Sequence, residues 1–163
     1  MAILPRNVNM SYTSGYCSIM HLNARSARNK HDDITTFFDE FSFKFDIIMI
    51  SETWYTCNDE VLCLPTYKSF FLNRPSRRGG GVLQLIADHL VCSLLSEFSA
   101  ITPDYEALSL ACHKYVYVVV YRPPDGKTEA FFQFLENLLT YACTNKLHII
   151  IGGDCNINLL QQT

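Results

Sequence analysis

The sequence predicts one α/β or α+β layered domain, and three observations support this fold class. A strand-like run followed by an amphipathic helix lies near the start of the chain, and an amphipathic helix followed by an apolar strand-like run lies near its end. Between them are short β-rich runs separated by turns that contain proline and glycine. Because helices and strands do not alternate regularly, the pattern argues against a doubly wound parallel sheet.

The first third of the chain predicts a strand, a helix and a second strand. Residues 16–22 have the composition of a strand, and residues 45–50 form a continuous apolar run, which is typical of a strand covered on both faces. The helix between them has apolar residues at helical spacing, so one of its faces should be buried. These residues are Ile34, Phe37, Phe38 and Phe41.

The rest of the chain predicts an all-β stretch, then a helix and a last strand. Thr128 is a candidate N-cap with Glu129 in the first helical turn, and residues 147–151 form the last strand. The β-rich runs are residues 67–72, 82–86, 107–111 and 115–121, and the apolar face of the helix is Phe131, Phe132, Leu135, Leu138, Leu139 and Ala142.

Composition limits the classes of protein that fit. At 163 residues, 48% hydrophobic and 18% charged, the chain has the size and core-forming content of one globular domain. Its apolar runs are too short to cross a bilayer and it shows no secretory signal, so we expect an intracellular protein without a membrane partner. Seven scattered cysteines without a C-x-x-C pair indicate buried thiols in a reducing compartment. With a net charge of −3, binding to a polyanion requires local basic patches or a bridging metal ion.

Polar side chains follow four of the predicted strands. Loops at one edge of a layered sheet often carry the functional site, so these side chains are candidates to converge although they are far apart in sequence. Taken singly, each also has a simpler explanation, as an exposed carboxylate, a turn residue or a core tyrosine. The candidates are Asn23, Glu52, Tyr121 and the pair Asp154 and Asn156.

Asp154 and Asn156 are the pair with the most specific chemistry. In an extended segment, residues two apart point to the same side, so their side chains would face one space. Gly152 and Gly153 leave room for a backbone or a substrate to approach closely. A carboxylate can bind Mg²⁺ or position a water molecule, and a neighbouring amide can donate to a phosphate oxygen. This combination suits phosphodiester hydrolysis.

Two basic clusters are candidates for contact with a nucleic-acid backbone. One is residues 25–30, and the other contains Arg74, Arg77 and Arg78, with Arg122 as a further candidate phosphate-binding residue. Solvated basic turns explain both clusters equally well. The three glycines after Arg78 precede a strand, whereas phosphate-binding glycine loops precede a helix, so we interpret them as a strand entry.

Five motifs in order, "HLNARS", "DIIMISETW", "RPSRRGGGV", "VVVYRPP" and "IIIGGDCNINLL", carry a family resemblance. Over about residues 16–160 the chain resembles the endonuclease/exonuclease/phosphatase superfamily, and most closely the N-terminal endonuclease domain of non-LTR (LINE-type) retrotransposon polyproteins. The resemblance implies a four-layer α/β sandwich and phosphodiester hydrolysis with Mg²⁺ or Mn²⁺. Retrotransposon members nick target DNA so that the new 3′ hydroxyl primes reverse transcription.

The resemblance also implies a role for each candidate residue. Glu52 matches the metal-binding glutamate and Asn23 the asparagine near the metal and the phosphate. Tyr121 matches the tyrosine that contacts the scissile phosphate, while Asp154 and Asn156 match the aspartate that orients the attacking water and the asparagine beside it. The expected partner is target DNA, with no small-molecule cofactor and a nuclear location for a functional protein. The alternatives are a non-catalytic retrotransposon remnant that at most binds nucleic acid or a partner, and a phosphatase or exonuclease of the same superfamily.

The chain departs from the family pattern in two places. Cys155 stands where the family more often has a bulky apolar or aromatic residue. The family also continues beyond this point with a second aspartate and a terminal Asp-His element. We therefore expect residues 1–15 to be a lead-in and residues 16–163 to form the first half to two-thirds of the sandwich, incomplete at the C-terminus. Whether such a chain is an active enzyme stays open, and an exposed inner sheet face and little activity are the expectation.

Overall fold

The computed structural model describes residues 17–75 and 79–158, which form two β-sheets with an α-helix on the outside of each. The predicted lead-in at residues 1–15 and the predicted start of the first strand at Tyr16 lie outside the described residues. None of the described helices is long and apolar enough to span a membrane.

Sheet A is built from the first half of the chain. Its strands are β1 (Ile19–Asn23), β2 (Ile47–Ser51), β3 (Tyr67–Leu72) and β4 (Val82–Ala87), in the order β1-β2-β4-β3. The helix α1 (His31–Asp39) connects β1 to the parallel strand β2, and the other neighbours are antiparallel. The predicted strands are confirmed with shifted ends. The start of β2 shifts from residue 45 to Ile47. Asp46 lies just before it, and its carboxylate accepts hydrogen bonds from the N–H and the hydroxyl of Ser18 at 2.7 and 2.9 Å.

Sheet B is built from the second half. Its strands are β5 (Ser93–Leu94), β6 (Ala100–Ile101), β7 (Glu106–Cys112), β8 (Tyr115–Tyr121) and β9 (His148–Asp154), in the order β5-β7-β8-β9, with β6 also paired to β7. The helix α2 (Thr128–Asn145) connects β8 to the parallel strand β9. The strands β5 and β6 and the 3₁₀ turn Ser96–Phe98 between them were not predicted, because elements of two or three residues have no hydrophobic period.

The two sheets pack face to face and produce four layers, in the order helix, sheet, sheet, helix. Ile47 and Met49 of β2 pack against Val119 of β8 between the sheets. The alternate residues Ile48 and Ile50 face outward into a second core that contains Ile34 of α1. Because both faces of β2 are covered, all five of its residues are buried, as its continuous apolar sequence predicts.

Buried residues correct the expectation of an exposed inner sheet face. In the described part of the chain, the inner residues Ile47, Met49, Val82 and Val119 are all fully buried. The expectation is wrong for the centre of the sandwich, where β2 and β4 of sheet A and β7 and β8 of sheet B cover each other, whereas Ile19 of β1 and Ile150 of β9 are only partly buried.

The face that α2 presents to sheet B also differs from the predicted one. Phe131, Phe134 and Leu138 pack against β8, whereas Phe132 and Leu139, predicted on the same face, are 52% and 51% exposed. Residues 131, 134 and 138 follow the three-and-four spacing of a single helical stripe, and residues 132 and 139 each lie one position further around the helix. The apolar surface of α2 is therefore wider than the stripe that sheet B covers.

Gly153 and Gly152 should respond differently to alanine substitution. A Cβ atom at Gly153 would lie 2.0 Å from the Val120 carbonyl oxygen of the neighbouring strand, whereas one at Gly152 would first meet the Met49 sulfur at 2.8 Å. Backbone cannot move aside as a methionine side chain can, so we expect Gly153→Ala to cost at least about 2 kcal/mol of unfolding free energy and Gly152→Ala clearly less. Urea unfolding of the two variants measures this, and equal midpoints would contradict the assigned packing.

Candidate active site at the edge of the two sheets

The polar residues that follow the predicted strands meet at one edge of the sandwich. Asn23 and Tyr121 are the last residues of β1 and β8, Asp154 is the last residue of β9, and Glu52 follows β2. In the strand register Asn23 is paired with Ser51, and Tyr121 with Asp154. Because β1 runs parallel to β2 and β8 parallel to β9, each pair of strands delivers its carboxyl ends to the same edge.

Asn23 joins the two sheets at this edge. Its amide Nδ2 donates to Glu52 Oε1 at 2.8 Å and to Asp154 Oδ2 at 2.9 Å. Its Oδ1 accepts the backbone N–H of Arg25 at 3.2 Å, which orients the amide so that both N–H bonds point to the carboxylates. Residues 131 positions apart in sequence are thus in direct contact.

The segment around Glu52 is held in a strained conformation. Glu52 and Trp54 have φ angles of +55° and +58°, a region that costs a non-glycine residue about 1–2 kcal/mol. Backbone hydrogen bonds on both sides maintain it: the Ser26 N–H donates to the Glu52 carbonyl at 2.8 Å, and the Trp54 N–H donates to the Gly80 carbonyl at 2.8 Å. The Trp54 indole N–H also donates to Glu52 Oε2 at 3.3 Å. Strain that the surroundings maintain in this way is typical of functional sites.

Asp154 and Asn156 do not share one face in the way that the sequence predicts. The strand β9 ends at Asp154, and Asn156 has a φ of +47°, so the alternation of an extended strand does not apply. The Asn156 backbone N–H donates to Asp154 Oδ1 at 3.0 Å, and its side-chain Nδ2 donates to the Arg122 carbonyl at 2.8 Å. Asn156 therefore fixes the Asp154 carboxylate through its backbone and fixes the end of β8 through its side chain.

Tyr121 is only 7% exposed and lies close enough to Glu52, Glu106 and Asp154 for their charges to act on its hydroxyl. Burial raises the pKa of its hydroxyl, and the negative charge of Glu52 raises it further, against the opposing effect of Arg74. The guanidinium carbon of Arg74 lies 6.0 Å from the centre of the Tyr121 ring, at the limit of a cation–π contact. The hydroxyl consequently stays protonated at neutral pH and can act as a hydrogen-bond donor.

Two of the predicted phosphate-binding arginines, Arg74 and Arg122, are buried rather than exposed. Arg74 is 8% exposed and its Nε donates to the Glu106 carboxylate. Arg122 is 7% exposed, and its Nη1 donates to the carbonyls of Cys155 and Asn156 at 3.2 and 3.1 Å. Both are engaged with partners inside the protein, Arg74 with a carboxylate and Arg122 with backbone carbonyls. Arg77 and Arg78 lie outside the described residues.

Glu106 is a residue of the site that the sequence analysis missed, whereas His21 alternates with Asn23 on one strand and was a candidate to border the site, with a core or surface role favoured. Glu106, the first residue of β7, is fully buried and is paired with Tyr121 in the strand register. His21 lies on β1, and its Nε2 is 3.0 Å from the hydroxyl oxygen of the fully buried Ser51. Burial lowers the pKa of His21, although Asp154 opposes the shift. The signal for Glu106 was a carboxylate at the start of an otherwise apolar strand, "EALSLAC".

The donor set of the site fits a magnesium ion. Glu52 and Asp154 supply carboxylate oxygens, whereas Asn23 presents its N–H bonds to them, and Mg²⁺ typically uses one or two carboxylates and keeps several water ligands. A closed protein cage is absent: among residues 17–75 and 79–158, no three His, Cys, Asp or Glu side chains are grouped to hold a metal ion.

Comparison with known proteins agrees with this fold. The model of the endonuclease/exonuclease/phosphatase family matches residues 7–160. The structure is similar to the endonuclease domain of TRAS1, a telomere-specific non-LTR retrotransposon, with 15% identity, a TM-score of 0.59, and 88% of this chain and 62% of that chain covered. It is also similar to NExo, a 3′ phosphatase from Neisseria bound to a product DNA hairpin. Here the identity is 12%, the TM-score is 0.55, and 87% of this chain and 58% of that chain are covered. Among curated protein sequences none matches. The chain thus spans less than two-thirds of both solved structures.

Replacing Asn23 by aspartate should make stability depend on pH in a new way. Asn23→Asp places a third carboxyl group between Glu52 and Asp154 and removes both donated hydrogen bonds, which we expect to cost about 1–3 kcal/mol at pH 7. The two neighbouring charges raise the pKa of the introduced group above its unfolded value, so the variant should regain stability as the pH falls from 7 to 5.

Thermal unfolding at pH 5 and pH 7 tests this, with Asn23→Ala as the control that removes the same hydrogen bonds without adding a charge. If the two variants show the same pH dependence, Asn23 does not lie between two carboxylates.

Proposed function

Because the chain belongs to the endonuclease/exonuclease/phosphatase family, we propose that it contributes an active site for metal-dependent phosphodiester hydrolysis, as the DNA-nicking endonuclease domain of a non-LTR retrotransposon. The observation that carries the proposal is the convergence of Glu52 and Asp154, from two different sheets, on the single amide of Asn23. Two carboxylates brought together at a strained, open sheet edge are costly for stability, and hydrolytic chemistry explains why they are there.

In this proposal Glu52 holds the metal, and Asn23, whose amide oxygen is turned to the Arg25 N–H, lies beside the metal and fixes Glu52. Mg²⁺, or Mn²⁺ in its place, would neutralise the charge that develops on the phosphate during hydrolysis. Asn23 orients both carboxylates by donating one N–H bond to each. Trp54 limits the rotation of Glu52 by donating to its second oxygen.

Asp154 and Tyr121 act on the water and the phosphate. The Asp154 carboxylate, fixed by the N–H of Asn156 at 3.0 Å, orients the attacking water and accepts its proton. The Tyr121 hydroxyl, which is protonated at neutral pH, donates a hydrogen bond to a phosphate oxygen. We assign Asn156 a positioning role, because its side chain is engaged with the Arg122 carbonyl.

DNA is the proposed partner. The TRAS1 domain is described as part of a telomere-specific retrotransposon and the Neisseria 3′ phosphatase as bound to a DNA hairpin. In this chain the turn after Asn23 carries basic residues beside the site: Arg25 is exposed two positions away, and Lys30 is held against this turn by hydrogen bonds to the carbonyls of Ala24 and Arg25. With a net charge of −3, such a local patch and the bound metal would supply the attraction to the phosphate backbone.

Nicking of a supercoiled plasmid in Mg²⁺ tests the proposed function. Glu52→Gln and Asp154→Asn should each reduce the rate at least about 100-fold, and removal of the metal with EDTA should abolish it. Glu97→Gln, in the exposed 3₁₀ turn away from the site, is the matched control and should leave the rate unchanged.

Thermal unfolding with and without Mg²⁺ gives a second readout that needs no turnover. Binding to the folded state should raise the unfolding temperature of the wild-type protein and of Glu97→Gln, but not that of Glu52→Gln. Nicking that resists both EDTA and Glu52→Gln would overturn the proposal. Stabilisation by Mg²⁺ without nicking would favour the non-catalytic remnant, and hydrolysis of a phosphomonoester without nicking would favour a phosphatase.

A further inference from the structure

A buried ion pair lies between the two sheets beside the proposed site. Glu106, at the start of β7 in sheet B, is fully buried, and Arg74, in the turn between β3 and β4 of sheet A, is 8% exposed. Their contact runs from Arg74 Nε to the Glu106 carboxylate. Arg74 Nη2 is buried and has no hydrogen-bond partner among the described residues. Burial raises the pKa of Glu106, and the Arg74 guanidinium and the Gly81 N–H oppose the shift.

Such a pair is poor evidence for stability alone. Removing two charges from water is costly, and apolar residues of similar size often replace a buried pair without loss of stability. The incomplete satisfaction of the Arg74 guanidinium adds to this cost. A role in placing other groups accounts better for a pair at this position.

Hydrogen bonds connect the pair to the segment around Glu52. Glu106 accepts the backbone N–H of Gly81 at 2.5 Å. The carbonyls of Gly81 and Gly80 in turn accept the N–H bonds of Thr53 and Trp54 at 3.2 and 2.8 Å. This path leads from the first residue of β7 to the two residues that follow Glu52, and so crosses from sheet B to sheet A.

The same pair borders Tyr121. Glu106 is directly opposite Tyr121 in the register of β7 and β8, and the guanidinium of Arg74 lies 6.0 Å from the centre of the tyrosine ring. Gly80 makes this arrangement possible: a Cβ there would lie 2.1 Å from Glu106 Oε1 and 2.6 Å from Arg74 Nε. Gly80, the second of the three glycines after Arg78, thus gives the two charges room to meet.

We propose that Arg74 and Glu106 are a positioning pair that holds the Glu52 segment of sheet A at a set distance from Tyr121 of sheet B. The inference rests on the proposed function, in which Glu52 binds the metal and Tyr121 contacts the phosphate. Neither Arg74 nor Glu106 touches the substrate. The pair acts by keeping two groups from different sheets in the geometry that one phosphate requires.

Substitutions at the pair can separate positioning from stability. Arg74→Met with Glu106→Leu removes both charges together, so folding should be retained, whereas Glu106→Gln alone leaves Arg74 buried and unpaired. Arg74→Lys keeps the charge and is the conservative variant. Gln84→Met is the matched control, because Gln84 is also fully buried and also joins the sheets, through its Nε2 to the carbonyls of Leu108 and Tyr117 at 2.7 and 3.2 Å, but in the middle of the sandwich.

Trp54 provides a readout without metal or substrate. It is the only tryptophan of the chain, and its indole N–H donates to Glu52. In the full chain, the double variant and Glu106→Gln should each shift the Trp54 fluorescence to longer wavelength. Each should also raise the quenching of Trp54 by acrylamide about twofold, because the segment around Glu52 becomes more mobile when the hydrogen bonds that hold it are lost. Arg74→Lys should have a smaller effect, and Gln84→Met none. A folded double variant with the wild-type Trp54 signal would overturn the proposal.

Terbium, a hard cation that prefers oxygen ligands and is sensitised by tryptophan, tests the link to the proposed metal site. We expect the double variant to bind Tb³⁺ about tenfold more weakly and Gln84→Met to bind as the wild type does. If the double variant binds Tb³⁺ with wild-type affinity, the pair does not position Glu52. If Glu52→Gln binds Tb³⁺ as the wild type does, the proposed metal function fails. The positioning role still stands in that case if the double variant changes the Trp54 fluorescence.

Discussion

The hydrogen bonds that Asn23 donates to Glu52 and Asp154 are the contact on which the rest of the site depends. A side-chain amide has two N–H bonds, and those of Asn23 donate to two carboxylates that come from different sheets. The contact forms only when sheet A and sheet B are stacked with their parallel strand pairs ending at the same edge. The face-to-face core, in which β2 and β8 pack through residues such as Met49 and Val119, holds the sheets in that arrangement.

The central part of the sandwich compensates for an edge that is costly to fold. Positive φ angles at Glu52, Trp54 and Asn156, two carboxylates on one amide, and the buried pair of Arg74 and Glu106 all lie within a few residues of the strand ends. Each positive φ angle costs about 1–2 kcal/mol. The strands β2, β4 and β7 consist wholly of buried residues, and their burial supplies the stabilisation that this edge lacks.

Hydrogen bonds rather than apolar packing set the fine geometry of the edge. The N–H of Gly81, the carbonyl of Gly80 and the carbonyl of Arg122 each anchor a residue that neighbours a proposed catalytic group. Apolar contacts tolerate small displacements, whereas a hydrogen bond loses strength steeply with distance and angle. In the proposed function the site would place a carboxylate, a hydroxyl and a metal around one phosphate, and backbone groups serve as its supports.

The sequence by itself determined the layered α/β class, the order of the longer elements and four of the residues at the site edge. It could do so because a continuous apolar run such as residues 47–50 marks a covered strand, and Asn23, Glu52, Tyr121 and Asp154 stand where such strands end. Only the tertiary structure decided that Arg74 and Arg122 are buried, that Glu106 belongs beside Tyr121, and that Asn156 turns away from the strand direction. The reason is physical: periodicity records which face of an element is apolar, but the partner of a buried charge or the turn after a strand depends on residues that are distant in sequence.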